Sequence, residues 1–248
     1  MKTSNPALSK NIFREFGGVG QYTETMTIQG VVNKAFILLA LLLITAIYVW
    51  GQFFKTGSAE SVTGWMLIGI VGGLVLALIT IFNKKAAPIT APIYALLEGL
   101  AVGGISALVE ARYPGLVIQA AALTFGTLFS LLFLYKARII NVSENFKLGV
   151  IAATGGIFIV YLVSFIMGLL GMNLSFIHGN GIVGIGFSLF VVTIAALNLV
   201  LDFDFIENGA RSGAPLYMEW YAAFGLMVTL IWLYIEILRL LTKLQSRR

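Results

Sequence analysis

Long charge-free apolar runs alternate with short polar segments along the chain. Such runs extend from Ala35 to Phe54 between Lys34 and Lys55, from Ser61 to Asn83 between Glu60 and Lys84, from Ala86 to Val109 with Glu98 inside, and from Tyr113 to Tyr135. After Lys136, Arg138, Glu144 and Lys147 follows a run from Leu148 to Leu201 that carries no formal charge. It is too long for one helix, and Gly171, Asn173, Gly179, Asn180 and Gly181 supply the break. Two spans result, near Gly149–Leu170 and Ile182–Leu201, and a last one lies near Glu219–Leu241. A bilayer core of about 30 Å takes about 20 helical residues, and each run is of that order. None shows the apolar–polar alternation of a membrane barrel strand. The pattern predicts an all-α polytopic membrane protein with seven transmembrane helices over residues 31–248, preceded by a polar arm over residues 1–30. The arm is expected to be cytoplasmic, with a short amphipathic helix around Asn11 to Phe16. No apolar core follows its first methionine, so no cleaved signal peptide is expected.

Composition agrees, with 59% of residues hydrophobic and 11% charged, where soluble domains carry about 25% charge. The net charge of +5 does not indicate a nucleic-acid partner, because the basic residues sit in short clusters between apolar runs. They set topology instead. With a cytoplasmic N-terminus the inside receives Lys2, Lys10, Arg14, Lys34, Lys84, Lys85, Lys136, Arg138, Lys147 and Arg211, and up to that point the outside receives Lys55 and Arg112. Seven spans leave Lys243, Arg247 and Arg248 outside, against the rule, unless one late segment is re-entrant. The chain has no cysteine, which removes disulfides, thiolate metal sites and cysteine nucleophiles.

Acids in this setting need a reason, since a charge at the bilayer centre costs at least about 2.5 kcal/mol and persists where it pairs, faces a cavity or carries ions. Glu98 lies near the middle of the third span, and no residue on its own helix can neutralise it; it must find a partner elsewhere, protonate or meet water. Gly99 and Gly103 beside it form a GxxxG face suited to close helix packing. At the end of the sixth span Asn198 and Asp202 share a helix face, Asp204 points nearly opposite to Asp202, and Asp204 and Glu207 share the second face if the helix continues. The alternative for these acids is a solvated helix end. In the seventh span sixteen uncharged residues separate Glu219 from Glu236, which is about 24 Å of helix. That falls short of the hydrocarbon thickness, so one acid dips below the interface or the membrane thins. Glu236 has Arg239 one turn later as a candidate interfacial ion pair, and Glu219 sits beside Trp220 and Tyr221, residue types of the headgroup belt.

Catalytic signatures are thin. His178 is the one histidine and falls in a predicted loop, no GxGxxG or Walker spacing occurs, and GxSxG and Ser-Lys constellations are missing. No enzyme activity and no bound cofactor are expected.

Several stretches together resemble a known family: SNPAL in the arm, APIYALLEGLAVGGISA in the third span, LYKARII, AALNLVLDFDFIENGA, and MEWYAAFGLMVTLIWLYIEILRLL. Their order and spacing over nearly the whole chain resemble the Bax inhibitor-1 (transmembrane Bax inhibitor motif) family, especially its bacterial branch. The resemblance implies a seven-helix fold with the last helix central in the bundle, location in the bacterial cell membrane, and a pH-sensitive calcium leak. It also implies a pair of aspartates, one ending the sixth helix and one in the seventh, that share a proton and govern the closed state. The first falls on Asp202, with Asp204 as a one-step alternative. The second, counted back from Arg239, falls at about Thr229, and the seventh span has no aspartate. If the switch survives, its second member is Glu98, Glu219 or Glu236 reached through folding; otherwise it is absent and gating differs.

The expected function is therefore a pH-sensitive cation leak gated by carboxylate protonation. Its candidate pathway residues are Asp202, Asp204, Glu98, Glu236, Glu219 and Asn198, its partners are the lipid bilayer, calcium and protons, and Asp202 is a candidate calcium ligand. The alternatives are a proton-coupled carrier of a small solute, in which Glu98 relays protons, and a non-transporting protein that binds membrane-protein partners through its small-residue faces.

Overall fold

A helix that is hydrophobic on every side satisfies its backbone internally and can leave its apolar side chains in lipid. This sequence is built of such helices. The computed structural model describes residues 24–171, 179 and 181–247. Among them are seven long helices, which we label α1 (Ile28–Thr56), α2 (Glu60–Phe82), α3 (Ala87–Arg112), α4 (Leu116–Lys136), α5 (Glu144–Leu169), α6 (Ile182–Arg211) and α7 (Met218–Gln245), with a 3-10 turn at Lys84–Ala86. All seven are long and apolar enough to cross a membrane, so the chain is an all-α polytopic membrane protein. Large apolar side chains stand exposed along them, among them Phe36, Ile47, Phe82, Phe133 and Leu169, as contact with lipid tails requires.

The first, sixth and seventh helices overrun the charge-bounded runs because charged side chains mark where lipid ends without stopping a helix. The first begins at Ile28, ahead of the expected Ala35, since Thr27 is an N-cap whose hydroxyl accepts from Gly30 N at 2.9 Å. The polar arm therefore ends before residue 30. Ser143 caps α5 in the same way through Phe146 N. The sixth helix runs ten residues past Leu201, to Arg211. The expected helix at Asn11 to Phe16, His178, and the break residues Asn173 and Asn180 lie outside the described residues.

The chain divides into two compact units, Met1–Arg112 with Asp204–Val228, and Tyr113–Phe203 with Thr229–Arg248. In the first, α3 is pressed between α1 and α2. Its GxxxG motif is a packing face: a Cβ on Gly99 would come 2.2 Å from Leu42 O, and one on Gly103 would come 2.5 Å from Ala46 O, both on α1. Thr45 of α1 donates to Leu96 O at 2.8 Å within that contact. On the α2 side Gly69 lies against Leu97 and Ala101, and the buried hydroxyls of Thr80 and Thr90 bond at 2.7 Å. Val49, Phe53, Val62 and Ala107 form a core cluster there. In the second unit α5 and α6 pack through Ile157, Val191 and Ile194, with Tyr161, Phe187 and Trp232 around them.

The spans of α3, α6 and α7 are the most buried. On α7 the four successive residues Tyr221, Ala222, Ala223 and Phe224 are all buried. At 100° per residue they cover the whole circumference, so protein surrounds that stretch of the last helix on every side.

Candidate functional site

Glu219, in the first turn of α7, is sealed at 2% exposure and satisfied from α1. Its Oε1 accepts from Thr27 N and from Thr27 Oγ1, each at 2.9 Å, and its Oε2 is paired with Lys34. Room for the carboxylate comes from Gly30, where a Cβ would meet Oε1 at 1.9 Å. Lys34 also lies over the Trp220 ring, 5.6 Å from its centroid. Beside this contact Met26 N donates to Ala214 O at 2.7 Å, and Thr25 bridges Pro215. The lysine that reads as a topological charge is thus an ion-pair partner, and Glu219 is an anion capping the positive N-terminal end of α1.

Glu236 does pair with Arg239, at 3.1 Å, and the pair is joined by a third member that the sequence did not indicate. The Tyr161 hydroxyl on α5 donates to Glu236 Oε1 at 3.0 Å and accepts from Arg239 Nη1 at 2.7 Å, and the guanidinium lies 5.1 Å from the Tyr161 ring centre. Glu236 is 2% exposed, so it sits inside a bundled contact and not on an open helix end. One turn later Lys243, also buried, donates to Gly184 O at 3.0 Å and to Ser188 Oγ at 2.9 Å near the start of α6.

Asp202 lies two-thirds of the way along α6 and accepts a hydrogen bond from the Thr229 hydroxyl on α7. The side chain as a whole is half-buried, yet its Oδ2 is fully buried and has no hydrogen-bond partner among the described residues. One turn earlier Asn198 donates to Thr154 Oγ1 on α5 at 2.8 Å and back to Ile194 O. Because α6 continues through this region, Asp204 and Glu207 do lie on a helix; Glu207 pairs with Arg211 at 2.5 Å, and Asp204 is half-buried.

Glu98 has its partner on its own helix after all, in the Tyr94 hydroxyl four residues earlier. Its Oε1 faces Gly73 of α2, where a Cβ would come within 2.6 Å. Tyr94 is buried and held edge-on against Phe224 of α7 with ring centres 4.9 Å apart.

The sequence matches the family described as Bax inhibitor 1 like over residues 5–246. The chain belongs to that family. No curated protein and no solved structure matches it. In this Bax inhibitor 1-like chain, the residue at the position where the resemblance expects a second aspartate is the one that bonds Asp202: a threonine hydroxyl, and not an acid. Glu98, Asp202, Glu219 and Glu236 each bond to a different, non-acidic partner. Glu219 and Glu236 are thereby committed to cations.

Calcium takes six to eight oxygen ligands, and among the described residues no group of three or more Asp, Glu or His side chains could hold a metal. Asp202 alone offers two oxygens. Of the residues the sequence reading passed over, Tyr94 was open to detection from its i, i+4 spacing to Glu98. Lys34 and Tyr161 meet their acids from other helices and leave no periodic signal, while Thr229 was reached by the resemblance as a position and not as a donor.

Proposed function

We propose that this Bax inhibitor 1-like protein is a passive leak for calcium and other cations, regulated by a proton on Asp202, with its N-terminus in the cytoplasm as the lysine and arginine distribution argues. The observation that carries the proposal is the Asp202 carboxylate, held on one side by Thr229 and sealed without a partner at Oδ2. A buried anion with an unsatisfied oxygen is costly, and a proton on Oδ2 removes that cost. The protonated form keeps α6 and α7 together through the Thr229 bond. Loss of the proton strengthens the Thr229 bond to one oxygen but leaves Oδ2 as a bare negative charge in an apolar setting, which draws water or a hard cation that prefers oxygen ligands in between the helices.

A pair of carboxylates titrates as a coupled unit in two steps, whereas a threonine hydroxyl does not titrate near neutral pH. The pH response of the leak is therefore expected to follow a single proton. The experiment is release of calcium from loaded liposomes that contain the purified protein. A leak gives release that needs no energy source and rises with the gradient without saturating. Saturable uptake driven by a pH gradient would identify a proton-coupled carrier in its place, and calcium retention equal to that of protein-free liposomes at every pH would refute the leak.

A further inference from the structure

The α2–α3 contact contains a carboxyl group that the leak does not use. Glu98 sits part-way along a close seam that runs from the buried Thr80–Thr90 hydroxyl pair to the approach of Gly69 on Leu97 and Ala101. Where α2 faces the carboxyl it has Gly73, and a Cβ there would lie 2.6 Å from Oε1 and 3.2 Å from Cδ, so the absence of a side chain makes the room that the acid fills.

Among the described residues no cation pairs with it. The α2 side brings Gly69, Gly72 and Gly73, and the α1 side brings Leu42, Thr45 and Ala46. From α7 comes Phe224, seated on Tyr94. Among the described residues the titratable group that bonds it is Tyr94, whose hydroxyl donates to the carboxyl. The contrast with the other acids is direct, since Glu219 has Lys34, Glu236 has Arg239 and Glu207 has Arg211, while Glu98 has no ion-pair partner among the described residues.

We propose that Glu98, Tyr94 and Gly73 form a proton-binding site of the α2–α3 seam, separate from Asp202. A proton is the ligand that fits. One carboxyl group with one phenol cannot replace the six to eight oxygens that a dehydrated calcium ion takes, and a bare carboxylate against a glycine backbone has nothing to balance it. With the proton on one oxygen and the Tyr94 hydroxyl on the other, the group is neutral and the seam closes on it. Without the proton, water or a cation has to enter between Gly73 and Glu98, so occupancy of the site is coupled to the α2–α3 contact.

The site is independent of the leak, and its test reads the proton and not flux. The experiment is infrared difference spectroscopy of the purified protein in hydrated bilayers between acid and alkaline pH, with carbodiimide labelling of protonated carboxyls in the wild type read by mass spectrometry. The expected result is a protonated-carboxyl C=O band that is lost in Glu98→Gln, kept in Asp202→Asn, and moved to higher wavenumber in Tyr94→Phe, where the ring still packs on Phe224 and the hydrogen bond is gone. The labelled peptide is expected to contain Glu98, with labelling that falls as pH rises. Because the label is read in unaltered protein, a variant that fails to fold does not protect the proposal. If the band that moves in Tyr94→Phe survives Glu98→Gln, as distinct from the band that Asp202→Asn removes, or if wild-type protein carries no label on Glu98 at any pH, the proposal is overturned.

Discussion

Gly30→Ala is the substitution with the sharpest expected consequence, because the added methyl group would occupy the place of a buried carboxylate. The new Cβ would lie 1.9 Å from Glu219 Oε1, 2.1 Å from Cδ and 2.3 Å from Oε2. Glu219 is the far end of a flexible side chain and can swing away, but doing so abandons the Thr27 N–H, the Thr27 hydroxyl and the Lys34 ammonium. A hydrogen bond to a charged group contributes about 1.5–3 kcal/mol, so losing two of the three costs about 3–6 kcal/mol. Replacing a helical glycine by alanine returns about 1 kcal/mol, which leaves a net loss of about 2–5 kcal/mol. Reversible unfolding in detergent micelles measures it, and a double-mutant cycle isolates the cause. In a Glu219→Ala background the methyl group has nothing to displace, so Gly30→Ala is expected to be neutral or mildly stabilising there. An equal cost of Gly30→Ala in both backgrounds would show that the carboxylate is not what the glycine accommodates.

The same unfolding assay checks two further expectations, and calcium release from liposomes checks a third. Gly103→Ala pushes a methyl group to 2.5 Å from the backbone oxygen of Ala46, which cannot step aside, and should cost about 1–3 kcal/mol as overpacking does; Gly126→Ala, with nothing within 4 Å, should not destabilise. Tyr161→Phe keeps the ring beside Arg239 but removes the hydroxyl shared with Glu236, at an expected cost of about 1.5–3 kcal/mol, and Tyr48→Phe, at an exposed tyrosine away from that cluster, should not reproduce it. Thr229→Val preserves shape and withdraws the donor from Asp202; it should alter the pH profile of the leak, while Thr242→Val, whose hydroxyl bonds only back to Leu238 O at 2.8 Å, should not.

The spans were legible in the sequence because lipid imposes a length and an apolar composition that a single chain displays on its face. Their ends were less so. Lys34 and Asp202 look like boundaries but lie inside α1 and α6, since a charged side chain near a helix end can reach a partner or the interface without unwinding the backbone. The GxxxG face at Gly99 and Gly103 was readable for the same reason as the spans: close backbone approach demands small residues at a fixed spacing. The acids were readable as exceptions and their partners were not. Glu219 meets Lys34 from 185 positions away and Glu236 meets Tyr161 from 75 positions away, and pairings over such separations are decided by the tertiary packing of whole helices. Tyr94 was missed differently, because a search for charges to balance Glu98 overlooks a phenol that merely donates to it.

The most direct measurement of the central claim is calcium release from proteoliposomes across a range of pH, with wild type and Asp202→Asn side by side. The account predicts a release rate that changes with pH in the wild type along a one-proton curve, and a rate in Asp202→Asn that no longer responds to pH. Release and pH response that are the same in the two proteins would contradict it, and would remove Asp202 from the control of the pathway.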